Sequence, residues 1–435
     1  MIRDAVGCVM PNSRAALEKL PLRATRTKIR MAVNLSFIQK PYLTNTRFHT
    51  TAKIRISEEW HLVKFLTVSE IGLHAVTLFT PFKFGQIDLK NRIVMASMTR
   101  GRTTNPGQVP NELQVEYYRQ RASAGLILTE GTWVSRDAMG FINVPGIFTP
   151  AQVDGWRKVT DAVHQQGGAI FAQLAHSGAV SHPAFFNGQP PLAPSAINPG
   201  LRAFTPEGFK DTVTPRAMTL DDIRRTIADY RAAGIHARDA GFDGVELHCA
   251  TTYLLPQFLN SELNRREDGY GGNAEKRCRI VIEILEALIS AWGPGRVGLK
   301  ISPTLSQGGF RSTEATVETY DHLINGLNRL SLAYLHVVRA AGDLSDSPIA
   351  TLQDTVGYYR ERYEGTLIAN LGFDKASGAA EIERGAADLI SFGKPFIGNP
   401  DFVRRMERDL PLTSPMVETF YQGGAQGYVD YAPAD

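Results

Sequence analysis

The order of elements in the sequence predicts an α/β fold, a (β/α)8 (TIM) barrel with a long loop insertion after its third strand. Three observations carry that prediction. From residue 77 onward, short apolar strands alternate eight times with amphipathic helical segments. The strands are Val/Ile/Leu-rich, as expected for strands covered on both faces. The first strand runs into Met98-Thr99-Arg100-Gly101 with no GxGxxG after it, whereas a doubly wound open sheet would place its phosphate turn there.

The elements follow in order. A strand over residues 93–97 leads to a helix over 111–122, and a strand over 125–132 to a helix over 151–166. The third strand, 169–174, is followed by the insertion, 175–218, whose Pro and Gly content suits a loop over the barrel mouth, and then by a helix over 220–240. The fourth strand, 244–249, precedes a helix over 274–292, in which Ile280, Ile284, Leu285, Leu288 and Ile289 form one buried stripe. Gly293-Pro294-Gly295 stops that helix. Strands over 297–302, 333–338, 366–371 and 387–392 alternate with helices over 313–330, 352–363, 375–384 and 401–409.

Composition narrows the class. Of 435 residues, 43% are hydrophobic and 21% charged, the balance of an ordinary globular protein. Residues 1–55 hold eleven Lys/Arg and two Asp/Glu, so the overall +3 leaves −6 for the remainder. A mildly acidic main domain argues against nucleic acid as a partner. Arg-rich, acid-poor beginnings occur in transit peptides and equally in translated upstream sequence, here with Met31 as an alternative start. Residues 1–76 are read as a basic extension, disordered or a non-native start, and 77–435 as the barrel. The three cysteines, Cys8, Cys249 and Cys278, are far apart and include no CxxC, so neither a disulfide framework nor a metal site is indicated. No apolar run of membrane-spanning length occurs; the greasy stretch 60–80 contains Lys64 and Glu70.

A barrel places chemistry at the carboxyl ends of its strands. Those ends carry Ser97, Met98 and Thr99; Glu130 and Gly131; Gln173 and His176; His248, Thr251 and Tyr253; Lys300; Asn370, Leu371 and Gly372; Gly393 and Lys394. No metal-ligand spacing and no GxSxG elbow stands out. The set is an uncharged hydrogen-bonding rim with two lysines, suited to a polar heterocycle and its phosphate. Gly372 and Gly393 permit close approach to a phosphate beside Lys394, although glycines end strands equally often to make turns. Gln173 can both donate and accept, and an inward Lys300 without an anionic partner suits a ligand contact.

In this order the residues resemble the Old Yellow Enzyme family of FMN-dependent ene-reductases, over roughly residues 77–431. The resemblance lies in the blocks 91–100 (NRIVMASMTR), 116–125 (EYYRQRASAG), 240–248 (AGFDGVELH) and 253–259 (YLLPQFL). It continues through 270–272 (YGG), 392–401 (FGKPFIGNPD) and 418–421 (ETFY) with 427–431 (GYVDY). It implies FMN, with NADPH or NADH as hydride donor, and ping-pong reduction of the activated C=C of a small electrophilic substrate. The cofactor-binding set it implies is Ser97, Met98, Thr99, Gly131, Gln173, Lys300, Leu371, Gly372, Gly393 and Lys394. It implies that His248 and Thr251 polarise the substrate carbonyl, that Tyr253 donates the proton, and that Phe141, Ala175 and Tyr421 help line the substrate pocket. A cytoplasmic monomer or homodimer with no membrane or nucleic-acid partner is expected.

The chain departs from the family pattern at named positions. Thr251 stands where Asn or His is usual, and Ala175 where Trp is usual, which should open the pocket. Lys replaces Arg at 300 and 394, keeping charge but losing the two-pronged contact, and Ser97 replaces a common Pro. These departures leave two further readings: a flavoprotein turned toward nitro compounds or quinones, and a non-catalytic flavin- or ligand-binding barrel.

Overall fold

The computed structural model describes residues 76–434. The extension read over 1–76 falls, apart from Val76, outside the described residues. Eight parallel strands form the sheet: β1 (Ile93–Met95), β2 (Leu126–Leu128), β3 (Ile170–Ala175), β4 (Gly244–Cys249), β5 (Val297–Ile301), β6 (Tyr334–Val338), β7 (Leu367–Asn370) and β8 (Leu389–Phe392). Each pairs with the next, β8 pairs with β1, and the sheet therefore closes on itself. The expected (β/α)8 barrel is the observed fold.

Around it lie α1 (Glu112–Gln120), α2 (Pro150–Gln165), α3 (Leu220–Asp239), α4 (Ala274–Trp292), α5 (Glu314–Leu327), α6 (Thr355–Arg360), α7 (Lys375–Glu383) and α8 (Phe402–Glu407). Local chemistry sets their ends. Asn111 with Gln114, and Thr149 with Gln152, form capping boxes that satisfy the first amides of α1 and α2. Gly293 ends α4 at φ +81°, a conformation that favours glycine. The sixth helix is shorter than expected: it begins at Thr355, where Asp354 caps it, and stops at Arg360.

Two features depart from the expected layout. The second strand is interrupted after Leu128, and Thr132–Trp133 forms a separate two-residue strand paired with β3. The hairpin Phe82–Phe84 with Ile87–Leu89 underlies the barrel floor, its Phe84 ring edge-on to Phe171 and Tyr334 at 6.2 and 6.1 Å. Gly298 has no side chain because the Tyr334 ring occupies that space. An aromatic floor closes one end of the barrel, leaving the other for chemistry. The insertion, expected as loop, contains the hairpin Arg202–Thr205 with Gly208–Asp211.

Candidate active site

Ladder register gathers the strand-end residues. Glu246 pairs with Gln173, His248 with Lys300, and Lys300 with His336. Alternation along β4 turns Glu246 and His248 to the same inward face, one layer apart. Cys249 points to the opposite side, where the nearby Cys278 of α4 adds to the burial that pushes its thiol up.

Below the mouth, a chain of hydrogen bonds crosses the barrel. Asn370 donates to Ser391 Oγ at 2.7 Å, and Ser391 Oγ meets His336 Nε2 at 2.7 Å. His336 Nδ1 meets Glu246 Oε2 at 2.8 Å, and Gln173 Nε2 donates to Glu246 Oε1 at 2.7 Å. Ser97 Oγ completes it with a 2.6 Å bond to Gln173 Oε1. Burial pushes the Glu246 carboxyl up, but His336, Lys300 and Gln173 outweigh it and hold it below its ordinary value. His336 is pushed down by burial and then by Lys300. A neutral His336 donating from Nδ1 and accepting at Nε2 satisfies every member of this chain. Gln173 keeps one amide proton and one lone pair for a ligand.

Lys300 is 8% exposed and forms no ion pair among the described residues. Burial lowers its pKa, and Glu246 opposes that shift. His248, also largely buried, accepts from the Ala250 amide at Nδ1 (3.3 Å), which leaves Nε2 as the protonated donor. Burial and the Lys300 charge hold its pKa down to about 3, so it stays neutral at physiological pH. Its ring is 5.0 Å from that of Tyr253. The Tyr253 hydroxyl has no hydrogen-bond partner among the described residues, and burial, then the Tyr421 phenol, pushes its pKa up to about 12. A neutral phenol in that state keeps its proton available.

Thr251 adopts φ +58°, and its amide donates to Ser302 Oγ at 2.7 Å. Its hydroxyl makes no hydrogen bond among the described residues. Phe141 lies 5.4 Å from Tyr421 and 5.1 Å from Phe204, which brings the two expected wall residues together and adds a third ring. Ala175 does not open the pocket: it is 0% exposed.

Fit to FMN can be judged from the bare backbone at these positions. A Cβ on Gly131 would lie 3.5 Å from Gln173 Oε1, and one on Gly393 would lie 3.5 Å from Met98 Sδ. Leu371 and Gly372 both have positive φ, +89° and +68°. Their carbonyls are drawn away by Arg339, whose Nε and Nη2 donate to them at 2.7 and 2.9 Å. With exposed Lys394 and a Thr99 hydroxyl that has no hydrogen-bond partner among the described residues, the rim offers hydrogen bonds and positive charge where a flavin mononucleotide needs them, so the residues fit the group. Arg339, Ser302, Glu246, His336 and Ser391 were not singled out from sequence. Of these, only Glu246 left a signal, two residues before His248 on an inward strand face.

Fold and rim together define a barrel oxidoreductase. The profile of the NADH:flavin oxidoreductase / NADH oxidase family matches residues 77–413. Flavin oxidoreductase hxnT of Emericella nidulans is 40% identical, over 81% of this chain and 97% of that protein. A probable flavin mononucleotide-dependent alkene reductase of Leishmania infantum is 39% identical, with 81% and 96% covered. Among solved structures, morphinone reductase superposes with a TM-score of 0.79 at 40% identity, with 83% and 97% covered. The old yellow enzyme homologue of Zymomonas mobilis gives 0.76 at 38%, with 82% and 100% covered. The chain belongs to the NADH:flavin oxidoreductase / NADH oxidase family.

Proposed function

We infer that the chain is an FMN-dependent NAD(P)H ene-reductase, which reduces the activated C=C of α,β-unsaturated carbonyl compounds. The observation that carries this reading is the arrangement of neutral His248, with Nε2 as donor, beside the Tyr253 phenol, which has no hydrogen-bond partner among the described residues. The rim residues would hold FMN, whose chemistry would be hydride transfer from the nicotinamide to the electron-poor carbon. Gln173 would hold its pyrimidine edge, Thr99 and Gly131 would flank the ring, and Lys300 would balance charge on the reduced ring. Leu371, Gly372, Gly393 and Lys394, with Arg339, would hold the phosphate. Ser97 acts through Gln173, and Met98 backs Gly393.

The substrate carbonyl lies against His248 Nε2–H and the Thr251 hydroxyl, which stabilise negative charge growing on oxygen. Tyr253 gives its proton to the α-carbon. Phe141 and Tyr421 exclude water from that carbon. NADPH or NADH serves as donor, and the enzyme works in the cytoplasm as a monomer or homodimer. Residues 77–435 form the catalytic unit. Among the described residues, no helix is long and apolar enough to cross a membrane.

A second reading, a flavoprotein turned to nitroaromatic or quinone acceptors, rests on Thr251, whose short hydroxyl makes a weaker second donor than an amide. One experiment separates the readings. Purified protein should be yellow, bleach with NADPH or NADH, and regain colour with cyclohexenone. Colour regained only with a quinone or nitroaromatic supports the second reading; protein that takes up no FMN sinks both.

A further inference from the structure

Ala175 stands where a large ring is usual, yet no space opens there, and the ladder shows why. Trp133 pairs directly with Ala175. Ala175 lies two residues from Gln173 and so shares its inward face. Residues paired across a ladder also share a face, so the Trp133 indole rises beside the Ala175 methyl. Its ring is 6.1 Å from that of Tyr253. Trp133 is 1% exposed, and its backbone is fixed on both sides: its amide donates to Pro145 O and its carbonyl accepts from the Ile147 amide, each at 3.0 Å.

We propose that Trp133 is a positioning residue for Tyr253, filling the volume left by Ala175 and holding the phenol at the angle needed for proton transfer. The proposal rests on the reading of Tyr253 as proton donor. The indole N–H has no acceptor among the described residues, so the site uses the ring's shape rather than its polar edge. Phenylalanine should therefore serve in its place.

The test is a cycle of wild type, Trp133→Ala, Ala175→Trp and the double variant, with Trp133→Phe alongside, all as FMN-loaded full chains. Thermal melting and both half-reactions are measured by stopped flow. Trp133→Ala should slow enone-driven reoxidation by about 10-fold or more, since sub-ångström displacement of a reacting group is costly. Flavin reduction by the nicotinamide should stay within about twofold, and Trp133→Phe should retain most of the reoxidation rate. Ala175→Trp should lower Tm by overfilling the site, and the double variant should recover both Tm and reoxidation. Additive effects, with a coupling in rate below about twofold, would overturn the shared volume. Equal loss in both half-reactions of Trp133→Ala would overturn the positioning role. Failure of the underlying reading looks different: Tyr253→Phe would then reoxidise at the wild-type rate, and the positioning role would fall with it.

Discussion

Thr251 sits at φ +58°, a region that costs a β-branched residue roughly 1–3 kcal/mol. Asparagine tolerates that region well and also brings an amide donor. Thr251→Asn should therefore raise Tm and speed enone turnover together, by up to roughly 10²–10³ if the second donor limits the rate. A higher Tm with unchanged turnover would show that strain was relieved but that the donor is not limiting. Beside it, Tyr253→Phe removes the only proton assigned to the α-carbon. Enone-driven reoxidation should fall by roughly 10²–10⁴ while flavin reduction persists. Stopped-flow measurement of the two half-reactions separates these effects, and parallel losses in both would refute the assignment.

Between elements, the C-terminal segment that carries Tyr421 is held by buried guanidiniums. Arg100 donates to Phe420 O at 3.1 Å and Gly427 O at 2.8 Å, and Arg121 to Tyr428 O at 3.4 Å. Arg121 lies 3.8 Å above Tyr117, which stacks on Tyr428 at 4.2 Å. Gly101, at φ +61°, permits this approach, because a Cβ there would lie 2.5 Å from Tyr421 O. Gly101→Ala should cost at least about 1 kcal/mol and displace Tyr421, so melting should fall and the KM for enone rise more than kcat falls. An unchanged KM would detach Tyr421 from the substrate wall. At this scale the barrel strands were legible, since a strand covered on both faces is rich in Val, Ile and Leu. The break at Thr129–Gly131 was not. There the Glu130 carboxylate accepts the Arg100 amide at 3.2 Å, a contact across two chain segments that local pattern cannot register. The Glu246–His336–Ser391 chain was hidden for the same reason: its members meet only through ladder register. Strand-end chemistry at His248 and Tyr253 could be read because the fold itself dictates where such ends gather.

Across the whole molecule, buried titratable groups make stability depend on pH, and His176, His248 and Glu130 show both signs of the effect. Burial alone holds His176 down to about 3, and burial with Lys300 holds His248 to the same value. Their contributions are complete above the ordinary histidine value near 6.5 and are lost as pH falls toward 3, because the unfolded chain takes up protons that the folded one refuses. Glu130 acts with the opposite sign. Burial pushes it up to about 7 against the pull of the Arg100 amide and guanidinium. Its folded form therefore holds a proton that the unfolded form releases, and its contribution, full below the ordinary carboxyl range, is lost as pH rises through 7. Near pH 5.5 His176 and His248 make the unfolded chain richer by about two protons, His336 adds to this in the same direction, and Glu130 offsets about one of them. Glu130→Gln removes the offset. Its stability measured by urea unfolding should then fall with acidification more steeply than wild type, by about 1.4 kcal/mol per pH unit between pH 5 and 6. Parallel slopes would mean that Glu130 is already ionised in the folded protein at pH 5, with Arg100 rather than burial governing its charge.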